Sequence, residues 1–372
     1  MKYYLIAGEA SGDLHGSNLM KSLKKADPLA EFRFMGGDLM HEQGGILVKH
    51  FREMAHMGLD VILHIRTILK SMRFCKNDIA AWKPDVLILI DYWGFNSRIG
   101  LFAKSSSIKT FFYIAPKVWA WNESRVKTLK QFIDKLFVIF PFEVGYFKKH
   151  EIEAEYFGNP LNDSIHEFLK IKEDFETFTE KNGLSKKPII ALVAGSRKSE
   201  ITRLLPEMMK AMKDKNEFQL VVAGAPSINK SVYEEILKSS DIKVVYGQTY
   251  NLISNATVAI VTSGTATLET ALLKTPQVVV FKTGLLTYAV GRPLVKLKYF
   301  SLVNLILNKQ VVLELLQFDL ARRIRLEVDK ILSDAVYRNQ MLADYDIIDQ
   351  MLGEHGVSDR FANKMVELLT KN

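Results

Sequence analysis

Short, mostly apolar runs alternate along the chain with longer stretches in which apolar positions recur at helical spacing. The first series of runs is Tyr3 to Ala7, Val86 to Ile90, Thr110 to Ile114 and Leu136 to Ile139, with amphipathic sequence such as Gly12 to Lys24 between them. A polar, charge-rich segment, Ile171 to Lys187, precedes a second series: Ile189 to Val193, Phe218 to Ala223, Ile242 to Tyr246, Val258 to Val261 and Gln277 to Phe281. Alternation of this kind is the signature of βαβ units, and runs as continuous as Val86-Leu87-Ile88-Leu89-Ile90 belong to parallel strands covered on both faces. The pattern predicts an α/β fold of two Rossmann-like, doubly wound domains, residues 1–165 and 166–345, and a C-terminal helical segment, 346–372. After about residue 320 the chain is helical in pattern: Leu326, Val328, Ile331 and Leu332 are apolar among charges, and Ser358 is the expected N-cap of a last helix ending at Leu369. The tail's apolar face must pack on the first domain or be exchanged with a second subunit.

Composition narrows the function classes. The 372 residues are 48% apolar, enough for sizeable cores, and 50 Lys plus Arg against 42 Asp plus Glu give a formal charge of +8. Nucleic acid, an anionic membrane surface and phosphorylated small molecules all suit such a balance. No nucleic-acid module or concentrated Lys/Arg tract accompanies it, so nucleic acid is not the expected partner. The single cysteine, Cys75, excludes an internal disulfide framework and any Cys-rich zinc site, which points to a reducing compartment, the cytoplasm. The opening apolar run is too short for a signal-peptide core, and no stretch approaches the ~20 apolar residues of a membrane span. The eight histidines show no metal-ligand spacing, and no G-x-S-x-G elbow is present. No metal or cofactor is expected.

In open parallel sheets ligands bind beyond the carboxyl ends of the strands, so the residues just after the runs matter most. The first run enters Gly8-Glu9-Ala10-Ser11-Gly12-Asp13, which lacks G-x-G-x-x-G spacing and would repel a pyrophosphate, so NAD binding is disfavoured. Either Ser11 and Asp13 cap a helix, or this edge binds sugar hydroxyls. Asp91 ends the Val86 run and is placed either for general-base work or as a cap or ion-pair partner. Gly195, Ser196 and Arg197 follow the Ile189 run at a helix start, where exposed N–H groups and a guanidinium fork suit a pyrophosphate; a structural turn is the alternative. Ser263, Gly264 and Thr265 form a second anion nest, with Glu269 one turn on, where a carboxylate can hold both hydroxyls of a ribose.

Together these strings resemble the lipid-A-disaccharide synthase family, glycosyltransferase family 19, over nearly the whole chain. The resemblance is carried by Ala7 to Asp13, Met57-Gly58, Lys83-Pro84-Asp85, Asp91, Pro116 with Val118-Trp119-Ala120-Trp121 and Arg125, and Pro141-Phe142-Glu143. It continues through Gly158-Asn159-Pro160, Gly195 to Glu200, Ser263 to Glu269, Ser301-Leu302, Asn304-Leu305 and Glu314 to Gln317. It implies a GT-B fold and an inverting, metal-independent transfer from UDP-2,3-diacylglucosamine to 2,3-diacylglucosamine 1-phosphate. Asp91 is the implied base. Gly195, Ser196, Arg197, Ser263, Gly264, Thr265, Glu269, Asn304 and Gln317 would bind UDP, and Glu9, Ser11, Asp13, Met57 and Arg125 the sugars. A UDP-N-acetylglucosamine transferase or 2-epimerase of the same fold is the competing reading. The family's usual Asp-Ala-Pro-Asp-Phe is here Asp91-Tyr92-Trp93-Gly94-Phe95, lacking the second carboxylate; Ala115 and Lys117 replace serines, and Val303 a proline.

Diacylated substrates require access to a bilayer. Val61 to Phe74 interleaves large apolar residues with Arg66, Lys70 and Arg73, as an interfacial helix does, although an ordinary domain helix with a solvated basic face shows the same pattern. The expectation is peripheral association with the anionic inner face of the cytoplasmic membrane.

Overall fold

The computed structural model describes residues 1–53, 65–121, 124–238, 240–284, 288 and 298–371. It divides into two units, Met1–Asp163 with Leu352–Asn372, and Ser164–Met351. The first unit carries β1 (Lys2–Ala7), β2 (Glu31–Gly36), β3 (Ile46–His50), β4 (Val86–Ile90), β5 (Lys109–Tyr113), β6 (Lys135–Val138) and β7 (Ala154–Tyr156). They form one parallel sheet in the order β3-β2-β1-β4-β5-β6-β7. The central strands have no polar face: Tyr3 to Ala7 and Val86 to Ile90 are all buried, because helices cover both sides.

The second unit repeats the plan with β8 (Ile189–Val193), β9 (Gln219–Gly224), β10 (Lys243–Tyr246), β11 (Ala256–Thr262), β12 (Gln277–Phe281) and β13 (Glu314–Leu316). Its parallel order is β10-β9-β8-β11-β12-β13. In each sheet the strand order reverses once, between β1 and β4 and between β8 and β11. There the loops diverge and leave a crevice at the carboxyl ends. Among the described residues no helix is long and apolar enough to cross a membrane.

The end of the chain packs in the first unit. Helix Val357–Thr370 buries Val357, Phe361, Ala362 and Met365 and lies against helix Ala10–Ala26. The Phe361 ring meets Tyr113, Phe137 and Phe157 edge-on. Two expectations are corrected here. Residue 346 lies inside helix Ala335–Met351, so the returning segment starts at Leu352. Ser358 is not the cap of the last helix: Asp163 is, its carboxylate accepting from the N–H groups of Gly356 (2.6 Å), Val357 (3.0 Å) and Ser358 (2.8 Å). A charge placed at the positive end of a helix does the work of a local cap from far away in sequence.

Candidate active site

At the carboxyl edge of β4 and β5 three residues hold left-handed backbone: Asp91 (φ 43°), Tyr92 (φ 47°) and Ile114 (φ 64°). Such conformations cost about 1–3 kcal/mol each, most for a β-branched residue like Ile114, and persist only where the surroundings over-determine them. Here the surroundings are a strand pair in fixed register, Ile90 beside Tyr113, with the Asp91 N–H donating to the Tyr113 carbonyl at 3.3 Å. The buried Asn96 amide completes the clamp by donating to the carbonyls of Asp91 (2.8 Å) and Ile90 (3.2 Å). The Tyr92 ring lies over Gly8, where a Cβ would fall 2.2 Å from Tyr92 Cγ, and stacks on Phe95 at 5.7 Å. Only glycine fits at position 8.

Asp91 is half-buried, and loss of solvent raises its carboxyl above the ordinary value while the Lys117 ammonium pulls it back down. Glu9 is half-buried at the start of helix Ala10–Ala26; after burial, its charge is what raises the Tyr92 phenol. Ser11 is exposed. Arg125 is half-buried, its guanidinium 5.9 Å from the Trp93 ring centroid. Met57 lies outside the described residues.

Asp13 departs from expectation. It is buried, and its oxygens accept from the N–H groups of Gly37 (2.7 Å), Leu39 (3.1 Å) and Met40 (3.1 Å). Its charge therefore caps the following short helix, Asp38–Glu42, rather than its own, and little of it is left for a sugar. Sequence reasoning assigned no role to Glu143, which is buried and accepts from Trp119 Nε1 (3.0 Å), Phe140 N–H (3.1 Å) and Ile139 N–H (3.2 Å). Burial pushes its carboxyl up to about 7 against those hydrogen bonds. Its place in the Pro141-Phe142-Glu143 string was the available signal.

In the second unit Gly195 holds φ 112° after β8, and a Cβ there would meet the Glu200 carboxylate at 2.4 Å. Glu200 accepts from the N–H groups of Ser196 (3.2 Å) and Arg197 (3.3 Å) and pairs with the Arg197 guanidinium at 3.1 Å. The N–H groups that follow β8 are thus taken by an internal carboxylate, that of Glu200.

Across the switch point, Ser263 donates its hydroxyl to the Phe300 carbonyl at 3.0 Å, while Gly264 and Thr265 are exposed at the start of helix Thr265–Leu272. Glu269 is half-buried, its carboxyl raised by desolvation, and it accepts from the Tyr250 hydroxyl at 3.1 Å. Tyr250, which sequence reasoning did not single out, holds this carboxylate.

Asn304 and Gln317 brace the loops around them. The Asn304 amide donates to Val312 O (2.9 Å) and Glu314 Oε1 (2.8 Å), and its carbonyl accepts from Val311 N (2.7 Å) and Val312 N (3.0 Å). All four of its hydrogen-bonding positions are used. Gln317 exchanges two bonds with the Thr283 backbone, 3.1 and 2.9 Å, and borders a cavity of about 580 Å³ lined also by Arg203, Lys210 and Lys282.

With this geometry in hand, comparison with known proteins assigns the chain. The profile of the lipid-A-disaccharide synthetase family matches residues 3–352. The lipid-A-disaccharide synthase of Geobacter sulfurreducens is 33% identical, covering 99% of this chain and 97% of its own. That of Myxococcus xanthus is 35% identical, covering 98% and 97%. Among solved structures, the UDP-GlcNAc 2-epimerase of Neisseria meningitidis bound to UDP-GlcNAc superposes with a TM-score of 0.66 at 14% identity, covering 100% of both chains. The kitacinnamycin glycosyltransferase gives 0.63 at 11%, covering 99% and 98%. At those identities the likeness carries the fold, the two-Rossmann GT-B type. Sequence identity across almost the entire length, on strand ends arranged as described, carries more: the chain belongs to the lipid-A-disaccharide synthetase family.

Proposed function

We propose that the chain transfers 2,3-diacylglucosamine from its UDP ester to the 6-hydroxyl of 2,3-diacylglucosamine 1-phosphate, forming a β-1,6 disaccharide 1-phosphate and UDP. The observation that carries this reading is full-length family membership in a chain whose Asp91 is held on a strained, clamped turn beyond a buried strand. Asp91 takes the proton as the acceptor oxygen attacks the anomeric carbon; the bond from that carbon to the diphosphate breaks on the opposite face, and the electron pair leaves with UDP. Partial burial makes the carboxylate a stronger base, and a positioned base of this kind contributes ~10² to 10⁴ in rate. Charge building on the leaving diphosphate is met by Arg197 and the N–H groups of its loop, once Glu200 yields its place. Glu269, steadied by Tyr250, receives the ribose hydroxyls; Ser263, Gly264 and Thr265 flank the nucleotide. Glu9, Ser11 and Arg125 orient the sugars, whereas Asp13, Asn304 and Gln317 shape the loops around them.

The substrates' acyl chains call for peripheral contact with the inner face of the cytoplasmic membrane. Supporting this, helix Ile65–Trp82 exposes Leu69 and Phe74 among Arg66, Lys70 and Arg73. Basic residues near anionic lipid contribute about 1 kcal/mol each. Equal sedimentation with neutral and anionic vesicles would overturn this contact. The returning helix Val357–Thr370 is the segment two copies would exchange in a homodimer, which sedimentation velocity distinguishes from a monomer.

The assay follows UDP release with mass spectrometry of the product, comparing diacylated with unacylated UDP-glucosamine. A disaccharide 1-phosphate from the diacylated donor alone is expected, and equal turnover of both donors would defeat the lipid assignment. The fold shared with 2-epimerases keeps a second reading in view, whose mark is a donor inverted at C2 without any acceptor.

A further inference from the structure

Lys117 stands at the carboxyl edge of the first sheet, where its ammonium lowers the Asp91 carboxyl. It follows the left-handed Ile114 beyond β5, the strand paired with β4, and lies between the buried Ala115 and Val118, so the root of its side chain is fixed while the ammonium is exposed. An exposed lysine is ordinarily solvated and nothing more. This one differs in its surroundings. Its charge reaches Asp91, Glu143 and His15, yet among the described residues it forms no ion pair or hydrogen bond with any of them. Glu143 is already engaged by Trp119 and two backbone N–H groups, and burial, with Lys117 second, holds the His15 imidazole down at about 4, leaving it uncharged at neutral pH.

We infer that Lys117 binds the anionic group of the acceptor, its 1-phosphate monoester, while Asp91 removes the proton from the 6-hydroxyl of the same sugar. The inference rests on the proposed reaction. In an inverting displacement the base lies on the face away from UDP, so a cation beside Asp91 is on the acceptor's side. One pyranose ring separates the two ends of the acceptor, a span a lysine side chain covers. Gly94, three residues on from Asp91, brings no carboxylate to this edge, and Lys117 brings an ammonium. Both favour an anion here, and a phosphate monoester carries about −1.5 to −2 charge at neutral pH. Lysine serves phosphate as a point charge on a flexible stem, without the bidentate geometry of arginine.

The test measures acceptor KM and kcat for the full-length chain, Lys117→Met and Lys117→Arg, with the diacylglucosamine 1-phosphate acceptor and with its 1-O-methyl glycoside, which lacks the phosphate. Lys117→Met is expected to raise KM for the phosphorylated acceptor roughly tenfold, as loss of one partly exposed charge-assisted hydrogen bond does. The same variant should change KM for the methyl glycoside by less than about twofold and kcat little for either, the mark of a lost binding contact, and Lys117→Arg should keep most of the affinity. An equal loss with both acceptors, a fall in kcat with a displaced pH profile for both, or no change at all would overturn the assignment. Absence of turnover by the unaltered chain with either acceptor would instead defeat the reaction itself, and the Lys117 assignment with it.

Discussion

Replacing Gly8 by alanine should disable the chain through Tyr92, and the geometry gives the size of the effect. A Cβ at position 8 lies 2.2, 2.3 and 2.6 Å from three atoms of the Tyr92 ring, more than 1 Å inside van der Waals contact. The ring is backed by Phe95, stacked at 5.7 Å, so it cannot simply retreat. The remaining freedom is movement of the Asp91-Tyr92 turn, already strained at φ 43° and 47°. Overpacking of this kind costs about 1–3 kcal/mol in stability. A shift of ~1 Å in a reacting group costs about 10²-fold in rate. Gly8→Ala should therefore lower kcat by about 10²-fold in the UDP-release assay, with a smaller effect on donor affinity. Tyr92→Ala in the same chain should restore most of the loss, giving a coupling of about 2 kcal/mol between two residues in direct contact, out of the ~2.7 kcal/mol that 10²-fold represents. Additive effects of the two substitutions would refute the reasoning, because the clash would then not be the cause.

Further outcomes follow from the same geometry. Glu143 has its folded-state pKa raised from 4.5 to about 7, so it binds more protons folded than unfolded between those values. Its contribution therefore destabilises progressively as pH rises from about 4.5 to about 7 and stays constant above, and Glu143→Gln should flatten that part of a urea-midpoint profile. Asp163→Ala removes the carboxylate that accepts from three N–H groups at the start of the last helix and should cost roughly 2 kcal/mol, read as faster amide hydrogen exchange across residues 357–370. Asn304→Ala leaves the N–H groups of Val311 and Val312 without an acceptor and should destabilise by roughly 3 kcal/mol in thermal melts, whereas a residue touching only ligand would leave the melt unchanged.

The strands that were legible in the sequence are the ones sheathed on both faces. β1, β4, β8 and β11 read as near-unbroken apolar runs because helices leave them no polar side. β2 was missed because Glu31 and Arg33 interrupt its apolar residues, β3 because it is a partly exposed edge, and β7 and β13 because three residues are too few to show a period. The site divides in the same way. Asp91 is readable because it ends a buried run, and Gly195 to Arg197 because glycine and arginine at a helix start have recognisable chemistry. The tasks of Asp13, Asn304 and Asp163 are not, since each is spent on backbone N–H groups in other loops, for Asp163 in a helix 193 to 195 residues away. Hydrophobic periodicity reports which side of an element faces the core; it carries no record of which polar atom pairs with which.

The central claim is that Asp91 is the base of the transfer. Asp91→Asn preserves the shape of the turn and the backbone bonds to Tyr113 and Asn96 while removing proton affinity, so the direct measurement is the rate of UDP release by that variant beside its affinity for UDP. A fall of ~10² to 10⁴ in kcat with UDP binding unchanged is the predicted result. A rate near that of the unaltered chain would contradict the account.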